Sequence, residues 1–423
     1  MGADRPTSRQ PLFARDAGVL WVLWLTYGSF YFCRNNLSAA LPGIQTELGY
    51  SKSDLGTVLM ALKLTYGLGQ FINGQLAERI SPRGLLAVGM FGSAALNVLF
   101  GLETGFYFLL FVWACNGYAQ ALGWTPTMRV TANWFPVIRR GRAIGLIGTG
   151  YQLGGALTSV IAGWAAERFG WRGALYLPAV LLVMAGIHML LFLRETPPES
   201  NETADALPRQ GQIASPPAPS ALRDNLLVTL GNPSLWLVAV SLLLLDACRY
   251  GFTDWGVMQL KEVLGDSVSL AAFKNAVLPL GGMAGAYLSG WATDRFFSSR
   301  RAPVIFFLLV TLGLLAVAYN SAIHQGLGLT AVVLFLVGFC IFGAQVLLVG
   351  TFPVDLARHG AAAAAVGFVN FMGYMGAAAG DKLTGHLAEN MGWKFAVLFW
   401  AGCAFLGAGA IACLWRAPIR SLN

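Results

Sequence analysis

Charged residues are scarce in this chain. Only 11% of its 423 residues are Asp, Glu, Lys or Arg, whereas 56% are hydrophobic and the mean hydropathy is +0.61. Soluble globular domains carry about 25% charged residues, so this composition excludes a soluble protein. Apolar runs of about 20 residues, long enough to cross a bilayer, recur from near residue 17 to near residue 415. The sequence therefore predicts a polytopic helical membrane protein.

Signatures of catalysis and of cofactor binding are also lacking. The six cysteines fall inside apolar runs without paired spacing or a CxxC motif, and the four histidines lack metal-ligand spacing. We find no GK[ST] phosphate loop, no nucleophile constellation and no pair of catalytic carboxylates. The net charge of +8 lies in short loops and not in a stripe that would bind nucleic acid. We therefore expect no enzyme activity, no metal, no cofactor and no nucleic acid partner.

Apolar runs and the breaks between them predict twelve transmembrane helices. Their approximate spans are 17–41, 54–77, 84–102, 107–134, 142–166, 173–194, 234–258, 270–293, 303–322, 329–352, 361–388 and 394–416. Arginines gather in alternate loops, so the positive-inside rule predicts that both termini are cytoplasmic. Residues 195–228 are rich in Pro, Ser and Ala, which predicts a cytoplasmic linker between two six-helix bundles at 1–194 and 229–423.

An internal repeat supports the division into halves. The loop GQLAERISPR, with Glu78, Arg79 and Arg83, matches GWATDRFFSSRR, with Asp294 and Arg295. The five charged residues are predicted to form gating networks at the cytoplasmic loops. Six plus six helices in parallel repeats is the arrangement of major facilitator transporters, and the loop motif resembles that superfamily's signature. The predicted fold class is all-α, a major facilitator fold.

Two arginines are embedded in apolar runs at matching depth. Arg34 lies in YFCRNN and Arg249 in LLLLDACRYGFTDW, 215 residues later (249 − 34). A guanidinium cannot deprotonate and costs about 2.5–3.5 kcal/mol at the bilayer centre, so each must be compensated. Either both face a shared polar cavity that binds an anion, or each is paired structurally, for example Arg249 with Asp246.

Four segments resemble the organophosphate:phosphate antiporter family. They are YGSFYFCRNN, GWTPTMRVTANWF, NPSLWLVAVSLLLLDACRYGFTDWGVMQLKEV and VGFVNFMGYMGAAAG. The resemblance implies that Arg34 and Arg249 bind the substrate phosphoryl group, which suits the planar fork of arginine. It also implies a monomer in a bacterial inner membrane, surrounded by the lipid bilayer, that exchanges a phosphorylated small molecule for inorganic phosphate.

Further substrate-binding residues are predicted around the two arginines. Tyr27 and Tyr31 share the helical face of Arg34, and the resemblance implies cavity positions for several more residues. The full predicted set is Arg34, Arg249, Tyr27, Tyr31, Lys63, Tyr66, Gln70, Trp124, Tyr151, Gln152, Asp246 and Tyr374.

Some of these positions depart from the glycerol-3-phosphate transporter pattern. Gln70 replaces a cavity lysine, for which Lys63 is a candidate substitute, and Tyr151 replaces a central histidine. Asp246 replaces a tyrosine, where it could pair with Arg249 or receive a cationic substrate group. Asp254 is predicted to have a gating or structural role. Asp381 and the adjacent Lys382 are predicted to be gate or snorkelling residues near the outer end.

The predicted function is exchange of a small organophosphate for inorganic phosphate by alternating access. Two alternatives stay open, namely a transporter-like organophosphate sensor and a symporter of sugar acids or related anions with protons. Glycerol-3-phosphate, a hexose phosphate, phosphoglycerate and an aminophosphonate all fit two arginines.

Overall fold

The computed structural model describes residues 17–197, 227–297, 300–357 and 361–415, and all regular secondary structure in these ranges is helical. The first half contains α1 Ala17–Phe30, α2 Leu37–Leu48, α3 Lys52–Arg79, α4 Pro82–Leu102, α5 Phe106–Gln120, α6 Trp124–Trp134, α7 Val137–Phe169 and α8 Gly173–Phe192. The second half contains α9 Pro233–Leu264, α10 Val268–Asn275, α11 Val277–Phe296, α12 Arg301–Ala322, α13 Leu327–Val346, α14 Phe352–Leu356, α15 Ala362–Asn390 and α16 Trp393–Ala412. Most of the predicted linker, residues 198–226, lies outside the described ranges.

The predicted all-α membrane fold is confirmed. Each of the twelve predicted spans coincides with one helix or with an interrupted pair of helices, and eight of the described spans are long and apolar enough to cross a membrane. Large apolar side chains cover the outside of the helices; Tyr107, Phe111 and Leu191 are 82%, 66% and 71% exposed. Such an apolar exterior is suited to lipid and not to water.

Several predicted spans are interrupted, so the prediction of continuous helices there was wrong. Proline explains three of the interruptions, because its ring clashes with the carbonyl four residues earlier. Pro126 follows the break between α5 and α6, and Pro279 follows the end of α10 at Asn275. Pro353 follows a π-helical turn at Leu347–Thr351. Hydropathy windows do not register these prolines because the surrounding residues remain apolar.

The two halves repeat a tryptophan–glutamate contact. The Trp171 indole donates to Glu47 at 2.9 Å, and the Trp393 indole donates to Glu262 at 2.8 Å. Glu262 follows Glu47 by 215 residues (262 − 47), the same separation as between the two arginines. The structure therefore carries the internal repeat at the same end of both halves.

The halves meet tightly at the end where α3 begins and α15 ends, here called the closed end. Lys382 on α15 donates to the Ser53 hydroxyl and carbonyl, each at 3.0 Å, and to the Thr57 hydroxyl at 2.6 Å on α3. Glu167 on α7 accepts from Ser267 at 2.8 Å and from the Ser269 amide at 2.9 Å. Lys382 thus links the two halves, as a gate residue would.

Candidate functional site

Arg34 lies at a break in the first predicted span. A 3₁₀ turn at Tyr31–Cys33 follows α1, and α2 starts only at Leu37. The break leaves backbone carbonyls without helical partners, and buried amides satisfy them. Asn116 and Asn97 donate to the Cys33 carbonyl at 2.9 and 3.2 Å, and Gln120 donates to the Phe30 carbonyl at 3.0 Å. Amides on α4 and α5 therefore fix the backbone that carries Arg34.

The Arg34 guanidinium is enclosed by tyrosines from both halves. Its Nη2 donates to the Tyr250 hydroxyl at 3.2 Å and to the Tyr374 hydroxyl at 3.3 Å, and its Cζ lies 4.0 Å from the centre of the Tyr66 ring. Arg34 is only 6% exposed, yet no carboxylate in the described residues lies within ion-pair distance of it. A buried cation without a counter-charge is a strong site for an anionic ligand.

Arg249 is equally buried but lies on the unbroken helix α9. Its Nη1 lies 3.6 Å from Asp246 Oδ1, which agrees with the predicted i, i+3 pairing. Neither Asp246 Oδ1 nor Arg249 Nε makes a hydrogen bond with any described residue. The guanidinium also lies over the rings of Tyr250 and Phe342, at 4.7 and 4.9 Å. Arg249 is therefore partly compensated and still has donors available.

Both arginines line one cavity, as predicted for a shared site. Its walls come from both halves and contain Tyr31, Arg34, Asn35, Tyr151, Gln152, Gly155, Ser159, Arg249, Tyr250, Thr253, Asn275, Pro279 and Phe342. The arginines are the charged members of this set. Two guanidiniums that face one enclosed space can bind the several acceptor oxygens of a phosphate group.

Lys63 takes part in a separate buried ion cluster. Its ammonium lies 2.5 Å from Asp254 Oδ2 and 3.7 Å from Asp381 Oδ2, so it links α3 to α9 and α15 across the halves. The ammonium also lies 4.1 Å from the centre of the Tyr250 ring. Lys63 does not line the cavity described above. Asp381 is fully buried, so the predicted snorkelling role was wrong for this residue, whereas the alternative role in a gate stays a prediction.

The remaining predicted aromatic residues pack around the arginines. Tyr27 contacts Trp124 at 4.8 Å between ring centres, and Tyr31 stacks on Tyr151 at 5.3 Å. These four residues form an aromatic wall on the first half. Tyr66 and Tyr374 meet at 4.7 Å and close the space beside Arg34 between the halves. Gln152 lines the cavity, whereas Gln70 is half-buried and outside its lining. The roles of all these residues in binding remain predictions.

Two of the residues predicted for the loop networks, Asp294 and Arg83, make contacts at the loops, and their gating role stays a prediction. Arg301 bridges Asp294 at 3.0 Å and Asp355 at 3.2 Å, whereas Arg295 is exposed. In the first half the Arg83 guanidinium donates to the Leu190 carbonyl, and its amide donates to Glu195 at 3.0 Å. The side chains of Glu78 and Arg79 lie outside the described part of the chain.

Sequence reasoning missed several residues of the site. Tyr250 contacts Lys63, Arg34 and Arg249, although the sequence analysis includes it only within the segment LLLLDACRYGFTDW. Asn275 and Thr253 line the cavity and were not singled out. A single amide side chain within an apolar span, as in AAFKNAVLPL, is the sequence feature that could have identified Asn275 as a cavity residue.

Comparisons with known proteins give a matching family model and several relatives over most of the chain. A family model described as Major Facilitator Superfamily matches residues 23–380. A probable hexose phosphate transport protein of Chlamydia trachomatis is 28% identical over 96% of this chain and 92% of its own length. A glycerol-3-phosphate transporter of Bacillus subtilis is 30% identical over 94% of this chain and 92% of its own length. A membrane sensor protein of Escherichia coli, UhpC, is 30% identical over 85% of this chain and 83% of its own length.

Proposed function

Because the chain belongs to the Major Facilitator Superfamily, we propose that it is a secondary transporter that exchanges a small organophosphate for inorganic phosphate. Family membership confirms the expectation of a multi-pass membrane transporter that is not an enzyme. The observation that carries the specific proposal is the pair Arg34 and Arg249, one from each half, at the wall of one cavity. The named functions of the relatives, hexose phosphate and glycerol-3-phosphate transport, support this substrate class.

The two arginines have complementary roles in phosphate binding. Among the described residues, Arg34 Nε and Nη1 have no hydrogen-bond acceptor, and neither has Arg249 Nε. Phosphate has several acceptor oxygens, so each guanidinium can form charge-assisted hydrogen bonds to it. Tyr250 lies between the arginines and fixes their separation through its hydroxyl and its ring. A bound phosphate therefore bridges the two halves.

Alternating access follows from this bridging. The closed end is held by cross-half contacts of Lys382 and Glu167, so a bound substrate leaves toward the opposite end, where the arginine-rich loops lie. When the cavity closes without an anion, Arg34 loses water and gains no counter-charge, which costs several kcal/mol. Loaded protein therefore interchanges its two conformations faster than empty protein, and exchange is favoured over net uptake.

Transport in proteoliposomes tests this proposal. Vesicles loaded with inorganic phosphate should take up labelled phosphate or an organophosphate much faster than vesicles that contain only buffer. Equal uptake by loaded and empty vesicles would contradict the exchange mechanism. Binding of organophosphate without flux would instead identify a sensor, as one relative is named. Uptake that phosphate does not inhibit would favour a carboxylate or sugar-acid substrate.

Arg34→Lys tests the role of the guanidinium fork. An ammonium retains the charge but cannot form two parallel hydrogen bonds to a phosphate, so exchange should fall at least tenfold. A matched control is Arg172→Lys, which changes an arginine paired with Glu47 at 2.6 Å near the closed end. Wild-type exchange rates in Arg34→Lys would remove the assigned role.

We place the arginine-rich loops and both termini in the cytoplasm of a bacterial inner membrane, with the closed end outside. The bias of arginines toward one set of loops supports this orientation. A reporter fused to the C-terminus that is active only in the cytoplasm tests it. We also propose that the transporter acts as a monomer. Measuring the mass of the protein–detergent complex and subtracting the mass of the detergent tests this.

A further inference from the structure

The buried ion cluster of Lys63, Asp254 and Asp381 has two acidic groups for one basic group. The three residues are at most 4% exposed and come from three helices, α3, α9 and α15. A buried ion is costly unless a counter-charge and hydrogen bonds compensate it. Because one ammonium neutralises one carboxylate, the cluster keeps an excess negative charge unless one carboxyl group takes up a proton.

The contacts of the two carboxyl groups are unequal. The Lys63 ammonium lies 2.5 Å from Asp254 Oδ2 but 3.7 Å from Asp381 Oδ2, and the second distance is too long for a hydrogen bond. Asp254 Oδ1 also accepts from the Thr253 hydroxyl at 3.3 Å. Neither oxygen of Asp381 makes a hydrogen bond with any described residue. Asp254 is therefore the better compensated carboxylate, and Asp381 is the group that gains most from a proton.

Close helix packing encloses Asp381. A Cβ atom at Gly56 on α3 would lie 2.7 Å from the Asp381 carbonyl oxygen, and one at Gly380 on α15 would lie 2.6 Å from the Ala247 Cα on α9. Glycine at both positions lets α3 and α9 approach α15 directly beside Asp381. The carboxyl group is therefore surrounded by protein as long as the two halves stay in contact here.

Neighbouring helices offer Asp381 little further compensation. The polar groups around it are, by element, Lys63 on α3, Asp254 and the Trp255 indole on α9, Lys382 on α15 and the Trp400 indole on α16. The Lys382 ammonium is held by α3 hydroxyls at the closed end, and the Trp400 indole donates to Thr384 at 2.9 Å. Within the described part of the chain, Lys63 is thus the cation within ion-pair distance of Asp381.

Tyr250 separates the cluster from the cavity. Its ring covers the Lys63 ammonium at 4.1 Å, while its hydroxyl accepts from Arg34 at 3.2 Å on the cavity side. On α3, Lys63 lies between the closed-end contact at Thr57 and Tyr66 beside Arg34. Opening of the closed end moves α3 away from α15, so the cluster then becomes exposed to the solution at that end.

We propose that Asp381 is a proton-binding site, protonated while the closed end is shut and deprotonated when that end opens. On closing, the carboxylate binds one proton from the solution at the closed end and becomes a neutral carboxylic acid; on opening, the proton returns to the same solution. Acid at the closed end therefore favours the shut conformation. The proposal goes beyond the exchange of anions and does not depend on which anion is carried.

Energy transfer between two fluorophores measures the opening directly. Glu103→Cys after α4 and Gln325→Cys after α12 are exposed positions on the two halves at the closed end, and both are labelled in a Cys413→Ser background with dyes that do not respond to pH. In detergent, between about pH 5 and 9, the ratio of open to shut protein should rise with pH by up to tenfold per unit, because opening releases one proton. A ratio that stays constant or falls would overturn the proposal.

Two variants assign the proton to Asp381. Asp381→Asn should abolish the pH dependence, whereas Glu389→Gln, an exposed acid on the same helix that accepts from the Lys52 amide at 2.8 Å, should keep it. Asp254→Asn should also abolish it, because Asp381 then becomes the partner of Lys63 and stays ionised. Wild-type pH dependence in Asp381→Asn, or in Asp254→Asn if the first variant does not fold, would contradict the assignment. Both results stand whether or not the protein exchanges phosphate, because no transport is measured.

Discussion

Removing Arg249 should destabilise the protein, whereas removing Arg34 should leave its stability unchanged or raise it. Arg249→Gln leaves Asp246 buried, at 3% exposure, without the cation that lies 3.6 Å from it. At an effective dielectric constant of about 20, two unit charges at that distance attract by about 5 kcal/mol, and breaking buried pairs costs about 3–5 kcal/mol in practice. Arg34→Gln leaves no carboxylate behind. It loses hydrogen bonds to Tyr250 and Tyr374, worth about 1.5–3 kcal/mol each because the donor is charged. It also removes the desolvation penalty of an uncompensated cation, which is several kcal/mol.

Thermal unfolding in detergent distinguishes these outcomes. Arg249→Gln should unfold several degrees below the wild type, whereas Arg34→Gln should unfold at or above the wild-type temperature. The double variant Arg249→Gln/Asp246→Asn removes both charges and should recover most of the lost stability. Neither arginine variant should be stabilised by added phosphate, while saturation at about 100 times Kd should stabilise the wild type by about 2.7 kcal/mol.

Three results would contradict the roles assigned to Arg34, Asp246 and Arg249. If Arg34→Gln were destabilised as much as Arg249→Gln, Arg34 would have an essential structural partner and could not be a site held ready for an anion. If Asp246→Asn failed to rescue Arg249→Gln, the pairing at 3.6 Å would not account for the loss. If the double variant recovered stability and also transport, Arg249 would not bind phosphate.

Two further predictions concern the closed end and the helix break. Lys382→Met removes three hydrogen bonds to Ser53 and Thr57, each worth about 1.5–3 kcal/mol because the donor is charged. Labelling of Thr253→Cys by an impermeant maleimide from the closed end should then rise at least tenfold. The control Lys394→Met, at an exposed position, should leave the labelling unchanged. Asn116→Leu removes one of two donors to the Cys33 carbonyl and should destabilise the protein by about 1–3 kcal/mol. Thermal unfolding measures this loss, and the KM for phosphate should also rise. An unchanged unfolding temperature together with an unchanged KM would show that the Asn116 amide does not hold Arg34 in place.

The large-scale organisation was predictable because it depends on local patterns. Apolar runs predict the spans, and the 215-residue separation of Arg34 and Arg249 predicts that both face one cavity. The helix breaks were missed because hydropathy averages over the prolines that cause them, as at Pro279. A proline that follows a single Asn or Gly by no more than four residues in an apolar run would have predicted these helix breaks.

The partners of Lys63 could not be predicted from the sequence. Asp254 is 191 residues away along the chain, and the pairing depends on how α3 packs against α9 and α15. Spacing along one helix predicts neighbours three or four residues apart, as for Asp246 and Arg249, but it gives no register between helices of different halves. Lys63 was predicted as a candidate substitute for a cavity lysine, but its ammonium lies in the ion cluster with Asp254 and Asp381 and outside the cavity lining.

The unequal environments of the two arginines bear on how strictly exchange is enforced. In the empty protein Asp246 already compensates part of the charge of Arg249, so closing the cavity without substrate leaves only Arg34 without any counter-charge. An incoming phosphate gains the full attraction of Arg34 but must share Arg249 with a carboxylate that repels it. Asp246 therefore weakens substrate binding and stabilises the empty closed state, and both effects lower the difference in rate between loaded and empty protein. Net uptake should accordingly be slower than exchange by a finite factor, and that factor should increase when Asp246 is neutralised.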